Sequence, residues 1–438
     1  MASFLSKLGR LPPMAGHESP NPPASGPPHR HPPPRELSLP GTPAAGRPSL
    51  DELRDRIARI VARAPVAAPR ANPAGGELPF VVQHTDRGPL YLRRERAVPG
   101  ARVGRVPLVG ARDADQALLA LLALDPSIAG CDPKGALYLD TETTGLAGGT
   151  GTVPFLLGLA WWDEEAGVFV LEQALLRRLG EEGPILELLS TRVAAASMIV
   201  TFNGKAFDMP LLRTRYVMNR MAPPREPPHL DLVHLARRIH RTRLRSRTLV
   251  AIEGEVLGRA RIDDVAGGDI VATYMHFLRT GDDAALLGVV EHNAADVLAM
   301  VAMVGLYGER LESSYANSEL DGSDIAGVAR TLRQAGKLDL AADLAEVAVT
   351  RGGGSEARRA RGDIAKARGD KARALADYEV LAGEVDDPKV RLELCKLYEH
   401  HVRSFALALA LVERGTGEGD EAMEKRRSRL TRKLGRAR

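Results

Sequence analysis

A short apolar run, Ala136-Leu137-Tyr138-Leu139, closes on two carboxylates set two residues apart, Asp140 and Glu142, and then on Thr143-Thr144-Gly145. Four apolar residues bounded by turn chemistry read as a buried strand. Residues i and i+2 of a strand face the same way, so both acids leave the strand end on one face. Two like charges held close repel, and a cation relieves them. Hard oxygen ligands of this kind suit magnesium or manganese. A solvated strand end explains a lone Asp-x-Glu more simply, so the reading depends on what else the chain offers.

Two further segments offer it. Ile199, Val200 and Phe202 read as another buried strand, and Asn203-Gly204 as its turn. Asp208 then stands where a helix begins, with Pro210 tolerated in the first turn. Helix capping alone would account for Asp208. The third segment, Glu291 to Met300, continues through Val301, Met303 and Val304 as an apolar helix. His292 and Asp296 are four apart and share one helix face. A core histidine beside an exposed aspartate is the plain account of that pair.

The order strand Asp-x-Glu, then strand-turn-helix Asp, then helix His-x-x-x-Asp resembles the histidine-bearing branch of the DEDD superfamily of 3′-to-5′ exonucleases. That superfamily uses the ribonuclease-H fold. Asp140-Thr141-Glu142-Thr143-Thr144-Gly145, Gly148-Gly149-Thr150-Gly151-Thr152, Phe155-Leu156-Leu157-Gly158, Asn203 to Pro210 and His292-Asn293 look like the YprB-like exonuclease family. The resemblance covers roughly residues 76 to 310.

It implies two magnesium or manganese ions, one on each side of the phosphorus, in a phosphodiester hydrolysis. On that basis Asp140 bridges both ions, and Glu142, Asp208 and Asp296 complete the shell. His292 is the general base, since imidazole titrates near neutrality. The expected partner is a single-stranded DNA or RNA end. The alternatives are a catalytically silent scaffold of the same fold and a structure-specific endonuclease.

Other chemistries fit poorly. Gly149-x-Gly151 has Pro154 where a dinucleotide fingerprint wants its last glycine. Gly204-Lys205 lacks both the upstream glycine and the downstream Ser or Thr of a nucleotide P-loop. The glycines at 148–151 let backbone approach a substrate end or the metal site, or simply make a flexible turn. No nucleophile elbow, Cys-x-x-Cys or His-Glu-x-x-His is present.

The chain has 438 residues, enough for two or three domains, and is 44% hydrophobic but only 4% aromatic. Alanine and leucine fill that role and favour helix. Cys131 and Cys395 lie far apart and give no disulfide framework. No uninterrupted apolar stretch approaches the ~18 residues that span a membrane, and Lys7, Gly9 and Arg10 interrupt any signal-like start. The expected compartment is the cytoplasm.

Four regions follow. Residues 1–48 are rich in Pro, Gly and Ser and read as disordered. Residues 49–75 begin with Ser49-Leu50-Asp51-Glu52, a capping box, and carry the stripe Leu50, Leu53, Ile57, Ile60 and Val61 of an amphipathic helix. It would dock on the catalytic domain or on a partner. Residues 76–310 form the catalytic region, an α/β ribonuclease-H-like mixed sheet flanked by helices. It opens with a hairpin at Asp86-Arg87-Gly88 between Phe80-Val81-Val82 and Leu90-Tyr91-Leu92. Strands are expected at 155–162 and 168–171, and helices at 185–193, 231–240, 248–257, 269–279 and 291–307. Residues 320–438 read as an all-α, tetratricopeptide-like array. Gly336 and Gly369, 33 residues apart, stand in similar surroundings, and a looser copy runs through Tyr398, Phe405 and Ala406. Such repeats bind a protein partner or only stabilise their neighbour.

Net charge is +4, unevenly spread. Arg237, Arg238, Arg241, Arg243, Arg245 and Arg247 form a run without acids, a candidate grip on phosphates or a solvated face. Asn203 and Lys205 join it as candidate nucleic-acid contacts. The tail, Lys425 to Arg438, is a second nucleic-acid contact or a disordered, solubilising end. Phe202, Phe207 and Tyr216 are candidates for stacking on a terminal base, with Phe202 and Phe207 expected in the core.

Overall fold

The computed structural model of the chain describes residues 78–145, 151–262, 264–310 and 319–436. The proline-rich segment 1–48, the helix expected from Ser49, residues 148–150 of the glycine turn and Arg438 lie outside the described residues.

The strands are β1 (Val81–Thr85), β2 (Gly88–Arg96), β3 (Arg102–Val103), β4 (Val106–Pro107), β5 (Ala136–Thr143), β6 (Pro154–Asp163), β7 (Val168–Leu175), β8 (Met198–Thr201) and β9 (His229–Asp231). Seven form one mixed sheet in the order β1-β2-β7-β6-β5-β8-β9, while β3 and β4 make a separate small ladder. Pairing is antiparallel from β1 through β5 and parallel from β5 through β9.

The turns explain the antiparallel half. Gly88 adopts a positive φ beyond Asp86-Arg87, and Thr85 Oγ1 donates to the Gly88 carbonyl. At the β6–β7 turn the Asp163 carboxylate accepts from the Glu165 and Ala166 amides. Parallel pairing needs long connections, and these carry α2 (Gly183–Ala195) and α3 (Asp208–Met218), after the earlier α1 (Gln116–Ala123).

Strands β6 and β7 are almost wholly buried, because helices cover both faces of the sheet. On one face α2, α3 and α6 (Gly267–Thr280) pack on Leu137, Leu139, Leu157 and Leu159. On the other, α4 (Leu232–Ile239), the short α5 (Leu249–Ile252) and most of α7 (Leu286–Tyr307) pack on Tyr138, Ala160, Leu171 and Val200. Helix α7 is long and apolar enough to cross a membrane by composition, yet most of its apolar surface is buried in this core.

A helical region follows: α8 (Gly322–Gln334), α9 (Leu338–Thr350), α10 (Gly354–Arg368), α11 (Lys371–Glu384), α12 (Pro388–Leu397), α13 (Phe405–Glu413) and α14 (Asp420–Arg436). Gly336 and Gly369, at φ 78° and 85°, make the tight turns of α8–α9 and α10–α11. Arg403 takes the same left-handed conformation in the turn before α13, where no glycine is present. The first three helices share the core of α4 and α7. Helices α11 to α14 build a separate one. Gly327 permits the junction, because a Cβ there would lie 2.1 Å from the Ile239 carbonyl oxygen. Beside it, buried His240 bridges Asp324 (2.7 Å) and the Tyr307 hydroxyl (2.8 Å).

The tail is helical through Arg436 rather than disordered. Arg429 and Lys433 both bind the buried Glu399 carboxylate, Arg426 pairs with Glu418, and Arg427 with Glu424. Arg426, Arg429 and Lys433 thus spend their charge on acids of the helical region, while the Arg427 pair lies on the exposed surface of the helix.

Candidate active site

The sheet places the acids through its register. Asp140 and Glu142 end β5 on the face covered by α7. Thr141, between them, points the other way and donates a hydrogen bond to Asp208, in the first turn of α3. His292 and Asp296 lie one turn apart on α7.

Glu142, His292 and Asp296 each offer a ligand atom, and these atoms all lie within 4.8 Å of one another. His292 Nε2 is 3.9 Å from Glu142 and 3.6 Å from Asp296. Its Nδ1 lies 2.7 Å from the Asp264 carboxylate and 3.2 Å from Arg261 Nη1. The shorter contact decides the tautomer: Nδ1 carries the proton and donates to Asp264, leaving Nε2 as the basic atom facing the acids.

Asp140 joins this group electrostatically. Loss of hydration pushes its carboxyl well above the ordinary range, and the charges of Asp296, Glu142 and Asp208 push it further, against one hydrogen bond from Asn293. Burial likewise raises Glu142 to about 7, although the neighbouring His292 opposes it. Asp208 is raised by burial against the Thr141 hydroxyl. Such unfavourable charging is what a divalent cation relieves, and carboxylates with one imidazole suit a hard cation. The residues present fit magnesium or manganese.

Beside the acids lies a cleft of about 310 Å³, lined by Asp140, Thr143, Phe202, Asn203, Phe207 and Asp208 among others. Phe207 is 56% exposed there, so the expectation that it belongs to the core is corrected. It precedes α3, where the chain turns outward. Tyr216 is withdrawn as a stacking residue: it is 2% exposed and donates to the Leu186 carbonyl. Phe202 is half-buried and packs against the core.

Asn203 adopts φ 71° at the strand–helix turn. Asp231 fixes that turn, accepting from the backbone amides of Asn203 (2.6 Å) and Lys205 (3.1 Å). The Lys205 ammonium is 3.6 Å from Asp125.

The arginine run does not act as a unit. Arg243 binds Asp324 and the Glu255 carbonyl, Arg238 caps the Leu122 carbonyl of α1, and Arg247 bonds the Leu244 carbonyl. Arg243 and Arg238 tie segments distant in the chain, while Arg247 bonds only within its own loop. Arg237, Arg241 and Arg245 are exposed. The run also starts late in α4, whose first residue follows the turn-fixing Asp231. At 1.5 Å per residue this carries Arg237 about 9 Å along the helix from the acidic end.

Sequence reasoning missed four partners. Asp264 orients His292, Thr141 holds Asp208, and Asn293 bonds Asp140. Arg261 is shared between Asp296, Glu253 and Asp264. Asn293 had a signal: an amide on the apolar face of a core helix needs a partner. Arg261 and Asp264 had none, because they come from the irregular connection before α6.

The match to known families agrees with this geometry. Residues 137–307 match the RNase_H_2 family of the RNase_H superfamily. A protein of Bacillus subtilis (strain 168), described as "Uncharacterized protein YprB", is 30% identical over 314 residues, 69% of this chain and 74% of that protein. Sheet topology and match place residues 137–307 in the class of ribonuclease-H-like domains. Within that class, the chain belongs to the family of YprB.

Proposed function

We propose that the protein is a divalent-metal-dependent 3′-to-5′ exonuclease acting on single-stranded ends. The observation that carries this reading is the convergence of Glu142 and Asp296 on His292, beside the strongly perturbed Asp140 and with Asp208 on the same cleft. Asp140, Glu142, Asp208 and Asp296 would hold two magnesium or manganese ions, which supply Lewis-acid activation of phosphate and water. His292 Nε2 takes the proton of the attacking water. Asp264 then stabilises the imidazolium through Nδ1–H. Phe207 offers a ring face to the terminal base in the cleft. The exonuclease polarity rests on the spacing His292-x-x-x-Asp296.

One observation favours the silent scaffold: Arg261 already pairs with Asp296. The same experiment decides between them. Single-stranded DNA and RNA, labelled at the 5′ end, are incubated with manganese and sampled over time. A ladder shortening from the 3′ end, absent from the Asp140→Ala/Asp296→Ala protein, establishes the exonuclease and names the sugar. His292→Ala should slow it by about 10²–10⁴-fold. A ladder that survives the double substitution overturns the assignment, and no cleavage by the wild type returns the scaffold. We further propose a cytoplasmic setting, and a protein partner for the helical region.

A further inference from the structure

A single row of residues crosses four strands of the sheet on the face covered by α7. Arg93 pairs with Gln173, Gln173 with Gly158, and Gly158 with Asp140. Directly paired residues share a face, so three polar side chains stand in line with one gap, at Gly158. Asn293 of α7 fills that gap. A Cβ at position 158 would lie 2.2 Å from Asn293 Oδ1. No residue but glycine leaves this room.

The filled row is a directed chain of hydrogen bonds. Arg93 Nη1 donates to Gln173 Oε1 at 3.2 Å. Gln173 Nε2 donates to Asn293 Oδ1 and to the Val290 carbonyl, both at 2.8 Å. Asn293 Nδ2 donates to Asp140 Oδ2 at 2.8 Å. Arg93 is 3% exposed, and Gln173 and Asn293 are 0% exposed. A guanidinium only donates, so it forces the carbonyl end of Gln173 toward itself and the amino end toward Asn293. That in turn leaves Asn293 with only its amino group for Asp140. Arg93 is itself held by Glu95 and Glu291. The direction of the whole chain is set by a cation three hydrogen bonds away from the acid it serves.

We infer that Gln173 and Asn293, oriented from Arg93 through the gap at Gly158, are positioning residues that hold Asp140 Oδ2 and keep Oδ1 for a divalent cation. This rests on the metal-site reading proposed above. The chain touches no substrate. It acts by fixing the rotation of one carboxylate, which a ligand at the end of a strand and beside a cleft otherwise lacks.

Manganese binding to the full chain, measured by titration calorimetry, tests it alongside melting in chelator. Asn293→Ala should weaken manganese binding by about 10–100-fold. Gly158→Ala, which leaves every polar group present but pushes Asn293 aside, should do the same. The double substitution should be no worse than the worse single one, because both break the same link. A purely structural role would lower the metal-free melting temperature and leave the affinity of the folded protein unmoved. If Asn293→Ala does not fold, Gln173→Met removes the donor to Asn293 at similar length and carries the same expectation. The control is Asp140→Ala. If it abolishes binding while the Asn293, Gly158 and Gln173 variants bind as the wild type does, the positioning role is overturned and the metal site stands. If it binds as the wild type does, the metal-site reading fails and the inference falls with it.

Discussion

Buried acids meet two different fates in this protein. Glu172 is fully buried, and both its oxygens are taken by Arg94 and Arg192. Glu182 is held by Arg215 and Asn219, and Glu399 by Arg429 and Lys433. These are structural acids: a buried carboxylate is tolerated when its charge is matched in good geometry. Asp140 is less buried than Glu172, yet among the described residues its carboxylate accepts one hydrogen bond, from a neutral amide, and three acids surround it. The molecule has arginines enough to neutralise it and places them elsewhere. Among the described residues Arg261 is the arginine that reaches the group, and it is shared among three carboxylates. Depth of burial therefore does not mark a functional acid; lack of compensation does.

The largest test of that contrast removes one cation or one acid. Arg215→Ala strands Glu182 and should cost about 3–5 kcal/mol, read by chemical denaturation. Asp140→Asn should do the opposite without metal, stabilising by on the order of 1 kcal/mol through lost repulsion. A destabilised Asp140→Asn protein in chelator would break the comparison.

The pH response is smaller and has a definite sign. Glu142 moves from its ordinary 4.5 up to about 7 on folding, so between those values the folded state binds more protons than the unfolded state. The contribution of Glu142 to stability is then fully present below about 4.5 and is lost as pH rises through about 7. In chelator the melting temperature should drop between pH 5 and pH 8, and Glu142→Gln should flatten the drop. A rising curve would contradict the charge crowding. The smallest effect belongs to the surface: Lys425→Ala removes an exposed pair with Glu421 and should cost under about 0.5 kcal/mol. A larger loss would mean that α14 depends on its surface charges.

Much of this arrangement was legible residue by residue. The Asp140 and Glu142 pair follows from a strand period of two, and His292 with Asp296 from a helix period near four. Both are local regularities, and the structure brings these residues together. Phe207 was misjudged because hydropathy cannot see that the chain turns outward before α3. The arginine run was misjudged in part because nearness in sequence says nothing about partners. Arg243 faces Asp324, 81 residues away.

Local periodicity and turn chemistry thus let the sequence by itself determine six of the seven strands of the main sheet (β9 was not among them), the helical character of the last third and the order of the acids. Which acids are neutralised was decided only by tertiary structure. So were the tautomer of His292, set by Asp264 from an irregular loop, and the link from Arg93 to Asp140, which exists because Gly158 leaves a gap that another element fills. Charge compensation and hydrogen-bond direction depend on distances between residues far apart in the chain, and no local pattern encodes those distances.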